Sequence, residues 1–261
     1  MRWLERLVGA ARGAPPQSVP EQMRAALAHA DRGDHAAALA IWSPLAHAGV
    51  ARAQNNIGAC FAEGLGVERD PVLAARWLGL AAEAGDPVGQ RNLAALHFRG
   101  EGVERDDARA LQLYLAAAEQ GDAPAQDMLS WMLAEEGAPA FDPAAARSWA
   151  QRAAEQGIVP AMTRLGMLHH HAIGGERDPQ QAVLWWRRAA GLGDADAQAM
   201  LGAALHLGAG VAKDGVAALA WLLRASAGGS GHAGRYLAAA RATLDPAGIA
   251  EAERLAREPL P

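Results

Sequence analysis

The residues in this 261-residue chain best suited to metal or nucleophilic chemistry are its nine histidines and its single cysteine. The densest group is His169-His170-His171. Consecutive residues of a helix point about 100° apart, so three in a row cannot converge on one ion from a regular helix. His170 and His206 make a better pair, because they are 36 residues apart, a spacing that recurs along the whole chain. Two imidazoles still need a third protein ligand to hold a catalytic zinc, and only Glu135 or His171 is near enough in sequence to offer one. The plainer reading of these histidines is a solvated surface that responds locally to pH. Gly208-Ala209-Gly210 and Gly228-Gly229-Ser230-Gly231 look superficially like phosphate loops, but they follow helical rather than strand patterns. No H-E-x-x-H, G-x-S-x-G or Walker pattern is present. The residues therefore argue against an enzyme and imply no cofactor and no metal.

What positions these residues is a repeat. Ile57, Leu93, Leu129, Leu165 and Leu201 stand 36 residues apart; so do Asp70, Asp106, Asp142, Asp178 and Asp214, and so do Gly85, Gly121, Gly157, Gly193 and Gly229. A fixed period of roughly 20 to 50 residues signals stacked supersecondary units. Within the unit, Ala53, Ile57 and Phe61 fall on one helical stripe running to about Glu63. Gly64 and Gly66 then turn the chain, and Val67 plugs the turn. Asp70-Pro71 opens a second helix, with the carboxylate capping exposed N–H groups and the proline at the first helical position. Gly85 ends it. The Trp77 position reads Leu113, Trp149, Trp185 and Trp221, set against alanines at the Ala74 and Ala81 positions. That pattern predicts large rings interlocked with methyl groups in the core. Repeats three and four depart from the turn pattern, reading Glu136-Gly137-Ala138-Pro139 and Ala172-Ile173-Gly174-Gly175.

The expected organisation is an N-terminal segment and Pro-rich linker at 1–20, a capping hairpin at 21–52, and five repeats at 53–88, 89–124, 125–160, 161–196 and 197–232. Capping helices follow at 233–261, with a last helix over 246–257 and a loose tail at Pro259-Leu260-Pro261. The hydrophobic fraction is 51% and the net charge −5, with Lys213 the one lysine, so no basic stripe invites nucleic acid. One cysteine excludes an intrachain disulfide. Glu5 and Arg6 interrupt the apolar N-terminus, which reads as neither a secretory signal nor a membrane span. Trp3, Leu4, Leu7 and Val8 share a helical face, so residues 1–12 could form a short helix touching a membrane surface or a partner. The expected location is cytoplasmic.

Ala53-Gln54, Ile57-Gly58, Phe61, Gly64-x-Gly66-Val67, Asp70, Ala74, Trp77 and Ala81-Ala82-x-x-Gly85 together resemble the Sel-one-like repeat family. This is a branch of the tetratricopeptide-type solenoids with units of about 36 to 44 residues. The resemblance covers residues 34 to about 242. It implies an all-α, right-handed superhelix of antiparallel helix pairs whose inner surface binds a protein or peptide. Members are generally adaptors, often bacterial. Cysteine-rich relatives tied to penicillin or peptidoglycan rely on paired cysteines, which this chain lacks.

If Ile57 and Phe61 face the core, the rows through Asn55, Ala59, Ala62 and Glu63 line the opposite side of the first helices. The Ala59 row reads Ala95, Trp131, Met167 and Ala203; the Ala62 row reads Phe98, Ala134, His170 and His206; the Asn55 row reads Arg91, Asp127, Thr163 and Ala199. Packing requires no Trp at position 131, and exposed Trp and Arg are favoured binding anchors. The expected peptide site is therefore Arg91, Phe98, Trp131, Met167, His170 and His206. The function expected is a non-enzymatic adaptor. The alternatives are a hydrolase or metal-dependent enzyme on a solenoid scaffold, or an exported envelope or peptidoglycan binder. Neither the partner's identity nor the oligomeric state is legible.

Overall fold

The helices are set by their punctuation. In the computed structural model, which describes residues 18–260, fourteen helices and no strand occur among the described residues. The chain divides into two units, Met1–Gln120 and Gly121–Pro261. The first contains α1 (Val19–Ala30), α2 (His35–His47), α3 (Ala51–Glu63), α4 (Pro71–Glu83), α5 (Pro87–Arg99) and α6 (Asp107–Glu119). The second contains α7 (Ala123–Ala134), α8 (Pro143–Glu155), α9 (Val159–His170), α10 (Pro179–Gly191), α11 (Ala195–Leu207), α12 (Gly215–Ala227), α13 (Gly234–Ala242) and α14 (Pro246–Arg257). Each unit is an all-α solenoid segment in which a first helix packs on its second helix and then on the next repeat. Residues 1–12, read above as a surface-binding helix, lie outside the described residues.

Every second helix of the repeats starts on an aspartate. The carboxylates of Asp70, Asp106, Asp142, Asp178 and Asp214 accept from the backbone N–H three residues on, at 2.8 to 2.9 Å. Each such cap contributes about 1 kcal/mol. Turn glycines then fix how one repeat meets the last: Gly102 has φ +69°, and a Cβ there would overlap the Pro71 carbonyl at the start of α4. Gly174 meets Pro143 and Gly210 meets Pro179 in the same way. Gln54 and Gln198 donate to the carbonyls of Ala46 and Ala190 near the end of the preceding second helix. The same carbonyls accept the turn N–H groups of Gly49 and Gly193, so each glutamine adds a second bond that ties one repeat to the next.

The core is built from small residues opposite large ones. Alanines 74, 110, 146, 182 and 218 are fully buried, as are alanines 81, 117, 153, 189 and 225. In repeats one, four and five the large buried partner is one residue later than the pattern predicted; repeat two buries both Leu113 and Tyr114, and repeat three has Ala150 at the later position. Trp77, Trp149, Trp185 and Trp221 are half-buried, whereas Leu78, Tyr114, Trp186 and Leu222 are buried. One step along a helix turns a side chain by about 100°. That step aims the second row into its own hairpin, against Gly58, Ala94, Gly166 and Gly202 of the first helices. A Cβ at Gly58 would lie 2.7 Å from Leu78, one at Gly202 would lie 2.8 Å from Leu222, and one at Gly166 would overlap the Trp186 indole. The Trp77 row instead packs along the edge of the core, and Arg152, Arg188 and Arg224 lie over Trp149, Trp185 and Trp221.

The last helix occupies residues 246–257 as expected, packed on α12. The end of this helix is tied to α12. The Arg224 guanidinium donates to the carbonyls of Leu255 and Glu258, and Leu260 Cδ1 comes within 3.8 Å of where a Cβ would stand on Gly193.

Candidate functional site

The first helices present their outer rows side by side, and their register decides which side chains meet. In the first unit Asn92 Nδ2 donates to Asn55 Oδ1 at 2.9 Å. In the second, Arg164 donates to Asp127 at 3.0 Å with both side chains largely shielded from water (22% and 13% exposed). Thr163 Oγ1 donates to the Asp194 carboxylate at 3.0 Å. Asn55 is buried and Ala199 has no exposed surface. The Asn55 row is therefore a seam between adjacent first helices, and not the open groove wall expected of it. Side chains that reach across to the next helix fill that row, which is why its polar members pair.

The exposed surface lies on neighbouring rows. Arg91 and Phe98 are half-buried on α5, in the first unit, where the Arg105 guanidinium lies 5.5 Å above the Phe98 ring. In the second unit Trp131 on α7 is 38% exposed. On α9, Met167 lines a cavity of about 310 Å³ together with Pro160, Thr163, Arg164, Asp194, Asp196, Met200 and His232. Met167 and Met200 give it adaptable apolar surface, and two carboxylates rim it. Asp196 accepts from Ser230 Oγ at 2.6 Å, and Asp194 also caps α11 through the Ala197 N–H at 2.7 Å. The sequence rows missed Met200, Asp196 and His232. Met200 lies on the Asn56 row, one residue from the row followed, and His232 belongs to the terminal cap.

His170 turns away from this cavity. Its ring sits 5.5 Å from Trp186 and 4.8 Å from His171, and burial pushes its pKa below the usual 6.5, assisted by His171 and Arg177. His206 is half-buried on α11. Among the described residues no group of three His, Cys, Asp or Glu side chains could hold a metal ion. Burial raises the pKa of the Cys60 thiol, which makes it a poor nucleophile.

Beside His170, three departures from the repeat occur together. Where the other repeats carry an apolar residue at the Ala75 position, and repeats one, two and five carry valine at the Val67 position, here stand Arg147 and Gly175. Arg147 Nη1 donates to the Glu176 carbonyl at 3.1 Å, and Nη2 lies 2.6 Å from His169 Nδ1. A Cβ on Gly175 would collide with that guanidinium. Arginine can only donate, so His169 accepts through Nδ1 and is neutral. Its pKa is lowered by burial and by Arg147, with Asp178 opposing. A polar lock replaces the apolar plug of this turn. It stabilises a turn in which Ala172 holds φ 60°, the one non-glycine residue at positive φ among those described.

No helix among the described residues is long and apolar enough to cross a membrane. Five consecutive matches to the family described as Sel1 repeat cover residues 51–86, 87–122, 123–158, 159–194 and 195–230. The chain is similar to a Sel1 repeat protein from Oxalobacter formigenes of known crystal structure, with 25% identity and a TM-score of 0.78 over 91% of this chain and 97% of that one. A putative Sel1 repeat protein from Klebsiella pneumoniae aligns at 24% identity and TM-score 0.48, over 77% of this chain and 97% of that one. Comparison with curated protein sequences gives no match.

Proposed function

The chain belongs to the Sel1 repeat family, and from that premise we propose that it is a non-enzymatic adaptor that grips a protein or peptide segment along the outer rows of its first helices. One observation carries the reading: the second unit has a 310 Å³ cavity on that face, walled by Met167 and Met200 and rimmed by Asp194 and Asp196. Thioethers fill irregular apolar gaps, and carboxylates at the rim favour a basic group at the end of the segment. The segment it suits is thus short, with an apolar side chain for the cavity and a neighbouring Lys or Arg. Trp131, one repeat earlier in the Met167 row, supplies the aromatic anchor. Thr163 is already committed to Asp194, and the lining offers no nucleophile and base pair. The test is a photo-crosslinking residue at Met200 in the full chain, expressed in its native cell. A defined crosslinked partner should appear, and Met167→Glu or Asp196→Lys should abolish it. Crosslinking that neither change alters would refute the reading.

A further inference from the structure

The terminal helix shows what the outer face of a second helix can hold. Ala217 and Ala220 of α12 are small enough for α14 to lie close, Trp221 offers a half-buried ring, and Arg224 stacks on that ring with its Cζ 5.3 Å from the centroid. From there the Arg224 guanidinium donates to the last carbonyls of α14, at 2.5 Å to Leu255 and 2.9 Å to Glu258. A helix C-terminus carries unsatisfied carbonyls and the negative end of the helix dipole. A cation held rigidly over an aromatic ring matches both, and Leu255 and Pro259 complete the contact over the alanines.

The same four positions recur two repeats earlier on α8, as Ala145, Ser148, Trp149 and Arg152. The cation is again stacked, with the Arg152 Cζ 4.5 Å from the Trp149 centroid. Ser148 and Arg152 are exposed, Ala145 and Trp149 are half-buried, and among the described residues no acceptor meets the Arg152 guanidinium. The other second helices break the pattern. In α10, Leu184 replaces the small residue and is 54% exposed. In α4 and α6, Leu80 and Ala116 stand where the arginine is needed. We infer that α8 carries a second, open copy of the seat that α14 fills on α12. Its occupant is the C-terminal end of an amphipathic helix from a partner protein, one that closes on a leucine and then a proline.

This surface is on the opposite helix layer from the cavity at Met167, so it stands or falls separately from that reading. The probe is a fluorescent synthetic peptide of residues 245–261, titrated into the full chain and followed by anisotropy. Saturable one-to-one binding is expected, with hydrogen-exchange protection appearing over residues 145–152. Arg152→Gln removes a charge-assisted bond and should weaken binding about tenfold or more, and Ser148→Leu should abolish it by blocking approach. Both side chains are exposed, so each variant should melt with the parent. Arg188→Gln should leave binding unchanged. No saturable binding would overturn the inference, as would binding lost with Arg224→Gln but not with Arg152→Gln, because the peptide would then be exchanging into the α12 seat. A concentration-dependent dimer abolished by Arg152→Gln would also overturn it, by assigning the seat to a second copy.

Discussion

Replacing Trp186 by alanine should be far more damaging than replacing its neighbour Trp185, although the two are adjacent and chemically identical. Trp186 is 2% exposed and its indole fills the space left by Gly166, with Nε1 donating to the Thr163 carbonyl at 3.2 Å. Truncating a fully buried Trp leaves a cavity that neighbours fill only in part, and costs about 3 to 5 kcal/mol. Loss of the indole donor adds about 1 kcal/mol or less, because the Thr163 carbonyl already accepts within its helix. Trp185 is half-buried beneath Arg188. Losing roughly half its apolar contact should cost about 1 to 2 kcal/mol. Urea unfolding followed by circular dichroism gives the totals. Hydrogen exchange assigns them to hairpins, since repeat arrays unfold in neighbour-coupled steps. The pairing can also be tested by rescue. Trp186→Tyr with Gly166→Ala copies Ala94 and Tyr114 of repeat two and should recover much of the loss, while Gly166→Ala alone should be destabilising. Equal losses for Trp185→Ala and Trp186→Ala would refute the assignment of the buried row.

Three further outcomes follow from the same geometry. Trp131→Ala should lower stability by less than about 1 kcal/mol, because the ring is 38% exposed; it should nonetheless weaken partner capture, and a large fall in melting temperature with capture intact would count against the binding face. His169 and His170 have folded-state pKa values below the ordinary 6.5. The unfolded chain therefore binds more protons as the pH falls, and their stabilisation, complete above about 6.5, is lost progressively below it. The triple change Arg147→Val, His169→Leu and Gly175→Val copies Val183, Leu205 and Val211 and should flatten part of that pH dependence in melting scans; parallel curves for the two proteins would remove the lock from consideration. Ala172→Gly should raise stability by about 1 kcal/mol in urea unfolding, because glycine adopts the positive φ without Cβ strain, and a loss of stability would show that the alanine methyl packs more than it strains.

Much of the fold was legible because it is written in punctuation. Each Asp at the Asp70 position caps a helix through one local hydrogen bond, so its effect depends on nothing distant. The limits of α14 follow from Asp245-Pro246 in the same way. The Trp77 row misled because both it and the row beside it are apolar, and only the three-dimensional hairpin decides which of two residues 100° apart points inward. The Gly58 row held the signal: glycine at Gly58, Gly166 and Gly202 leaves room for something large opposite. The Asn55 row misled for a related reason. Polar residues suggest water, but side chains on adjacent first helices are close enough to satisfy one another. The cavity at Met167 was only half legible, since Asp196 and Met200 come from the next first helix and His232 from the turn beyond α12.

The departures from the repeat can be sorted by whether the chain itself answers them. Trp186 packs against Gly166, a position that is also glycine in repeats one and five, and Arg147 is met by His169 and Gly175, so both contacts report on folding. Trp131 departs from a row that otherwise carries alanine or methionine, and its ring stays 38% exposed. Ser148 and Arg152 are likewise exposed, whereas Met167 and Met200 pack against the core while lining the cavity. A solenoid's stability is close to a sum over units and their junctions, so a large or charged side chain that serves no junction adds little to that sum. Restoring repeat-like residues should therefore change melting little at the exposed positions Ser148 and Arg152 and lower it at any single member of the Arg147, His169 and Gly175 set.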